Sequence, residues 1–165
     1  TPVKINTVLM RGFNDDEVDA LIELTKDPRI HVRFIELMPL GQAADKKTEF
    51  MPVAEIIARY PDLIELPSYD HSVARRFTKP GYPGTIGFIN PVRWNFCADC
   101  NRIRISASGN LRLCLHAGEI ANLKQYLADP AELKGQIIRL IDEKPESHHL
   151  DIRSEAGTNM NEIGG

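Results

Sequence analysis

The sequence lacks several features that would assign it to a specialised class of protein. No apolar run approaches the roughly 20 residues of a membrane-spanning helix, because charged residues interrupt each candidate. The first residues contain no initiator Met, basic segment or cleavage site, so we expect no signal peptide and a start within a longer protein. Internal repeats and low-complexity tracts are also absent. We therefore expect a globular protein that does not bind membranes.

Excess positive charge and a paired set of cysteines are missing as well. A net charge of -3 gives no general attraction for nucleic acid, so a phosphate site must come from a local group of Arg and Lys. Three cysteines, an odd number in 165 residues, argue against a secreted disulfide scaffold and favour a reducing cytoplasm. The apolar fraction of 42% is sufficient for a core.

The start of the chain alternates between strand and helix patterns. Residues 3–10 alternate apolar and polar side chains, which predicts a strand. A helix over 14–26 follows, with Asn14 as its predicted N-cap, and residues 31–37 form the next predicted strand. This βαβ order predicts a parallel sheet, in which ligands collect at the carboxyl ends of the strands. The loops after the two strands are therefore candidate site walls.

All three cysteines lie between Asn95 and His116. Cys97 and Cys100 form a C-x-x-C pair, and Cys114 follows after thirteen residues that predict a β-hairpin. This spacing indicates a metal or cluster site. Zinc with His116 as the fourth ligand and a three-cysteine 4Fe-4S cluster both fit it, and spacing does not separate the two. The chemistry alone favours structural zinc slightly, because zinc sites of this spacing are common and cluster sites usually use four cysteines.

The predicted hairpin over 102–115 places arginines beside a cysteine. Leu111, Leu113 and Leu115 require an apolar face, which Ile103, Ile105 and Ala107 are expected to share. A turn over 108–110 would then pair Arg104 with Cys114 and place Arg102, Arg104, Arg112 and Cys114 on the opposite face. Arginine forks bind phosphate in a bidentate manner, so this face is a candidate polyphosphate site, although a solvated face is the simpler alternative. A helix over 130–143 is predicted next, and the polar tail from Lys144 is expected to be flexible.

Several motifs resemble one family of radical S-adenosylmethionine enzymes, the GTP 3′,8-cyclases of molybdenum cofactor biosynthesis (protein A family). The similar segments, in the family's order, are Val3-Lys4-Ile5-Asn6, Asn14-Asp15-Asp16-Glu17, Arg33-Phe34-Ile35-Glu36-Leu37-Met38-Pro39, Cys97-x-x-Cys100-Asn101-Arg102-x-Arg104, Ser108-Gly109-Asn110-Leu111-Arg112, Cys114-Leu115 and Ile163-Gly164-Gly165. Together they extend over nearly the whole chain. The family's N-terminal C-x-x-x-C-x-x-C motif has no match, so the resemblance implies the C-terminal half of such an enzyme, inactive alone.

The resemblance also implies a fold. It is α/β: residues 1–66 would form the last βα units of an incomplete TIM-type barrel. Residues 67–165 would form a small α+β region with the β-hairpin, the cluster, the GTP site and a flexible Gly-Gly tail.

The resemblance implies a role for each of ten residues. Cys97, Cys100 and Cys114 would bind the second of the complete enzyme's two 4Fe-4S clusters. Lys4, Arg102, Ile103 and Arg104 would bind GTP, Met38 would contact S-adenosylmethionine, and Gly164 and Gly165 would enter the catalytic pocket. The implied reaction is abstraction of the ribose 3′ hydrogen by a 5′-deoxyadenosyl radical and attack of C3′ on guanine C8, which gives 3′,8-cyclo-GTP.

The implied partners are GTP, the missing N-terminal half, a second copy in a homodimer, and cyclic pyranopterin monophosphate synthase as the next enzyme. Two other classes stay open. A zinc-stapled Cys3His module without catalysis would use the same cysteines. A sulfur carrier would use the terminal Gly-Gly, but such carriers are short β-grasp domains, and the βαβ start does not fit one.

Overall fold

The computed structural model describes residues 1–39, 41–67, 72–91, 100–115 and 117–144, and these residues fall into two compact units. The first unit consists of Thr1–Met38 and residues 45–99, and the second of Pro39–Ala44 and the chain from Cys100 onward. Within the described part, no helix is long and apolar enough to span a bilayer. The predicted functional division between residues 66 and 67 stays a prediction. The main part of the second compact unit begins further along the chain, at Cys100.

The first unit is built on a mixed five-stranded sheet. Its strands are β1 (Val3–Leu9), β2 (Ile30–Glu36), β3 (Ile64–Leu66), β4 (Arg75–Thr78) and β5 (Thr85–Ile89), arranged in the order β1-β2-β5-β4-β3. β2 pairs in parallel with both β1 and β5, whereas β4 is antiparallel to β5 and β3. The predicted α/β class and the parallel start are confirmed. The described strands form an open sheet and not a closed barrel.

Two helices in the described part of this unit, α1 (Val18–Glu23) and α2 (Val53–Arg59), cover one face of the sheet. Val32 and Phe34 of β2 are fully buried on this face and pack with Phe88 of β5. Because side chains alternate along a strand, the residues between them point to the other face. Glu36, also fully buried, accepts a hydrogen bond from the Val53 backbone N–H at 3.0 Å and so fixes the start of α2.

The predicted helix cap is wrong. Glu17, not Asn14, occupies the N-cap position of α1, and no side chain caps the helix. The side-chain oxygen of Asn14 accepts from the Met10 backbone N–H at 2.9 Å, and its amide donates to the Val8 carbonyl at 2.9 Å. Asn14 therefore stabilises the loop after β1, because its short side chain reaches the strand end before the helix begins.

The second unit contains a three-stranded antiparallel sheet of β6 (Arg104–Ile105), β7 (Asn110–Arg112) and β8 (Ala121–Asn122). The hairpin is confirmed, but its predicted register is wrong by two residues, since Arg104 pairs with Arg112. The Ser106 N–H donates to the Asn110 carbonyl and the Gly109 N–H to the Ser106 carbonyl, both at 2.9 Å. The turn therefore closes over 107–109, with Gly109 at φ 86°.

A register shift of two residues preserves the faces of a hairpin, yet two side chains differ from expectation. Ile105 was expected in the core but is 58% exposed, because its two-residue strand lies at the sheet edge. Arg112 was expected on an open face but is 6% exposed. Its guanidinium donates to the Ala117 carbonyl at 3.2 Å and lies 3.8 Å from Glu119, so it supports the loop after β7.

Helix α3 (Pro130–Asp142) confirms the predicted C-terminal helix within one residue. Asp129 caps it by accepting from the Ala131 and Glu132 backbone N–H groups. Its apolar residues pack on the small sheet in a cluster of Leu111, Leu113, Leu123, Leu133, Ile137 and Leu140. The prediction of a flexible tail stays a prediction, because the tail after Lys144 lies outside the described residues. Lys144 itself, its first residue, bonds through its side chain to residues 100 and 102.

We predict that Gly84→Ala destabilises the first unit by about 1–3 kcal/mol or more. A Cβ at residue 84 would lie 2.3 Å from the Ile30 carbonyl oxygen and 2.7 Å from that of Thr25, and backbone atoms cannot rotate away. Urea unfolding measures the loss. Gly87→Ala, in the strand β5 that directly follows Gly84, is the matched control. Its Cβ would lie 3.1 Å from the flexible Arg33 side chain and at ordinary contact distances of 3.6 Å from the Ala74 Cβ and 3.7 Å from the Val32 carbonyl oxygen. Equal losses in the two variants would contradict the argument.

Candidate functional site

Apart from Lys4, the predicted cluster and GTP residues within the described chain lie at the base of the hairpin. Residues 100–103 are extended chain outside the strands, and Arg104 begins β6. Cys100 and Cys114 are free thiols of intermediate exposure, and along the sequence they flank the two strands of the hairpin. Ile103 packs against the apolar cluster of the second unit, which fixes the segment between Arg102 and Arg104. Sequence and hairpin pairing thus bring two cysteines and two arginines to one end of the small sheet.

Arg104 is the electrostatic centre of this group. Burial is the largest cause lowering the pKa of its guanidinium, and the positive charge of Arg102 lowers it further. Negative charge on Cys114 and Cys100 acts in the opposite direction, so both thiols lie within electrostatic range of Arg104. A half-buried cation beside a second cation is stabilised by an anion. The site therefore favours a negatively charged ligand, such as one with phosphate oxygens.

The described part of this site is incomplete as a metal centre. No three His, Cys, Asp or Glu side chains come together within the described ranges to hold a metal ion. Cys97, the third predicted ligand, and His116, the zinc alternative, lie outside the described residues. Gly164 and Gly165 also lie outside them. Two thiols near an arginine nevertheless match the donor chemistry that an iron-sulfur cluster or zinc requires.

A second basic group lies on the open face of the sheet in the first unit. It lines a pocket of about 160 Å³, made by Lys4, His31, Arg33, Ser72, Arg76, Thr85 and Gly87. Strand pairing explains the grouping, because Lys4, His31 and Thr85 are register partners across three strands. Arg33, Gly87 and Arg76 form the next row. Three cationic side chains and two hydroxyls around one pocket suit a multiply charged anion.

His31 is central to this pocket. Its Nδ1 lies 2.9 Å from the Thr85 hydroxyl oxygen, so the two side chains share a hydrogen bond. Burial lowers the pKa of His31 below its ordinary value, and the charges of Lys4, Arg76 and Arg33 lower it further. His31 is therefore neutral near pH 7, and the positive charge of the pocket comes from lysine and arginine.

Sequence reasoning selected Lys4 in this pocket and missed its neighbours. The available signal was polar alternation in β2, where His31 and Arg33 flank the apolar Val32. The pocket lies at the amino ends of β1, β2 and β5, opposite to the loops that the sequence suggested as site walls. Met38, predicted to contact S-adenosylmethionine, follows the carboxyl end of β2 and is half-buried.

Comparison with known families identifies the class of protein. A family model described as Molybdenum Cofactor Synthesis C matches residues 30–150, and the chain belongs to this family. The range includes the small sheet and both described cysteines. The resemblance found in the motifs is therefore confirmed.

Several curated relatives share extended sequence similarity with this chain. The chain is 41% identical over 169 residues to the GTP 3′,8-cyclase of Alkaliphilus oremlandii, which aligns with 100% of this chain and 53% of the relative. It is 40% identical over 167 residues to the GTP 3′,8-cyclase of Clostridium botulinum strain Hall, covering 99% of this chain and 52% of that protein. The GTP 3′,8-cyclase of Moorella thermoacetica is 38% identical over 172 residues, and the alignment covers 100% of this chain and 53% of that protein. The chain spans about half the length of these relatives.

We predict that Lys4→Met raises the pKa of His31 and that this pKa still remains below the ordinary histidine value. The variant removes one positive charge from the pocket, whereas burial, the larger cause, is retained. An NMR titration of the imidazole carbon-bound protons measures the change. Lys26→Met is the control, because Lys26 pairs with Glu23 and is not among the charges acting on His31. An unchanged His31 pKa in Lys4→Met would contradict the electrostatic description of the pocket.

Proposed function

We propose that the chain is the part of a GTP 3′,8-cyclase that binds GTP at a second 4Fe-4S cluster, in the first step of molybdenum cofactor biosynthesis. The observation that carries this proposal is that Cys100 and Cys114 lie within electrostatic range of the half-buried Arg104 in a member of the family. The half-length match to GTP 3′,8-cyclases supports it. The complete activity would require a further segment of the protein, which carries the C-x-x-x-C-x-x-C motif, binds the first cluster and binds S-adenosylmethionine there.

Cys97, Cys100 and Cys114 would hold the cluster. Thiolate is the usual ligand of iron in such clusters, and the described pair lies beside a guanidinium that stabilises negative charge. When bound, a cluster with three cysteine ligands offers one open iron to a ligand atom of the substrate. Arg104 then lowers the electrostatic cost of holding the thiolates together and of bringing a phosphate-bearing substrate near them.

Two groups of cations would bind GTP. Arg102 and Arg104, with the Ile103 backbone between them, lie beside the thiols and provide guanidinium forks for phosphate oxygens. Lys4 lines the pocket of the first unit together with Arg33 and Arg76, which suits polyphosphate charge. His31, kept neutral by burial and by these cations, would contribute hydrogen bonding without adding charge.

The fold of the first unit is compatible with a role as part of a barrel that binds S-adenosylmethionine. The parallel strands β1, β2 and β5 would belong to an incomplete TIM-type barrel completed by the remaining part of the protein. Met38, after β2, would contact S-adenosylmethionine from the carboxyl end of this sheet, and the Gly164-Gly165 end would enter the catalytic pocket.

Metal analysis tests the cluster assignment. Anaerobically reconstituted complete protein is expected to contain iron and acid-labile sulfide for two clusters, and Cys114→Ser should lose the iron and sulfide of one cluster. Ser106→Ala, a hairpin change without a thiol, is the control and should keep both. Zinc without iron would overturn the proposal in favour of a Cys3His module, and an unaltered iron count in Cys114→Ser would refute the ligand assignment.

Arg104→Ala is predicted to weaken GTP binding by about 1.5–3 kcal/mol, the range for hydrogen bonds to charged groups. Isothermal calorimetry on the reconstituted complete protein measures the loss. Arg139→Ala is the matched control, because Arg139 is exposed on α3 and bonds to Glu143 at 2.9 Å, so its removal should leave GTP affinity unchanged. GTP affinity that is the same in both variants would exclude Arg104 from the binding site.

A further inference from the structure

Lys144 connects the end of α3 to the segment that carries Cys100 and Arg102. It lies two residues beyond the last residue of the helix, and its ammonium donates hydrogen bonds to the carbonyl oxygens of Cys100 and Arg102, the second at 3.0 Å. An ammonium group has three N–H donors, so one side chain can serve both acceptors. The two bonds fix the backbone on either side of Asn101.

The helix presents this ammonium from a rigid position. Leu133, Ile137 and Leu140 of α3 pack against the small sheet. The backbone N–H of Glu143 donates to the Leu140 carbonyl at 3.2 Å and that of Lys144 to the Ile141 carbonyl at 3.0 Å, which extends the helical hydrogen bonding as far as Lys144. A positive charge is also favourable at a helix C-terminus. The backbone of Lys144 is therefore held by the same core as the hairpin.

The segment that Lys144 contacts has little regular structure of its own. Residues 100–103 lie outside the strands, and ladder pairing begins only at Arg104. A ligand residue on such a segment keeps its geometry only if neighbouring groups fix the backbone. Hydrogen bonds from a charged donor are about twice as strong as neutral ones, so the ammonium is well suited to this role.

We propose that Lys144 is a positioning residue that holds the backbone around Asn101 and thereby sets the directions of the Cys100 thiol and the Arg102 guanidinium. The inference rests on the proposed function for its consequence, in which Cys100 binds the cluster and Arg102 binds GTP. Lys144 itself contacts neither. It acts through two carbonyl groups, and its loss leaves the core of the second unit intact.

The test compares Lys144→Met with two other variants in the reconstituted complete protein. Lys144→Met removes two charge-assisted hydrogen bonds. The loss of such bonds corresponds to a change of about tenfold or more in a binding constant that depends on them. We expect iron release to a chelator to become faster and the Kd for GTP to rise by about that factor. Lys144→Arg, which restores the donors, should recover most of both properties. Lys134→Met, an equal charge change on an exposed residue of α3, should behave as the wild type.

Amide hydrogen exchange of residues 101–103 separates this inference from the function on which it rests. Lys144→Met should exchange faster there than the wild type and Lys134→Met, with or without metal, while the amides of α3 stay protected. Wild-type iron release, GTP affinity and exchange in Lys144→Met would overturn the positioning role. If wild-type protein binds no iron or GTP, the proposed function fails, and the exchange experiment still decides whether Lys144 holds the segment.

Discussion

The parallel pairing of β2 with a strand on each side is the constraint on which the first unit depends. It fixes Val32 and Phe34 on the helix-covered face and His31 and Arg33 on the other. The same register aligns Lys4 with His31 and Thr85, so the packing of the core also assembles the basic pocket. A slip of one residue would exchange the two faces and bury the cations, and the apolar core therefore specifies the electrostatics of the pocket.

Arginine serves three different purposes within one hairpin. Arg112 is buried and bonds to the following loop, Arg104 is half-buried within electrostatic range of the two thiols, and Arg102 is exposed. The difference comes from position in the sheet, since β7 is the central strand and β6 is an edge strand. A central position covers a side chain from both sides and makes it structural, whereas an edge position leaves it accessible to a ligand. The same residue type thus has its function assigned by strand order.

The sequence predicts much of this fold because its apolar periodicity is strong. The order of β1, α1 and β2 and the bounds of α3 follow from local sequence patterns. Apolar residues recur about every two positions in a strand and about every three and a half positions in a helix. The hairpin register was not predictable in the same way. Apolar alternation restricts it only to even shifts, and the choice among these depends on the turn and on Asn122, which bonds to the Asn110 side chain at 2.7 Å from a later strand. The cap by Asn14 failed for a related reason, because a nearby strand end competed for its side chain.

The residues of the candidate site likewise fall into those that a local sequence pattern predicts and those that it does not. A motif of cysteines and arginines is local and can be recognised, and Lys4 came from a resemblance. The residues around Lys4 were hidden because His31, Arg33 and Arg76 meet only after strands distant in sequence pair. Lys144 was assigned to a polar tail, since one lysine among polar residues carries no periodic signal. Local sequence patterns do not predict a contact in which one side chain joins two segments that are distant along the chain.

The two bonds from Lys144 also bear on where this region can be divided. A boundary placed after Asp142 would retain each strand of the small sheet and the whole of α3, and would look complete by its secondary structure. It would nevertheless leave the carbonyls of Cys100 and Arg102 without the ammonium that holds them. In this protein the C-terminal limit of a piece that keeps the contacts of the cysteine segment is set by a side chain, two residues past the last residue of α3.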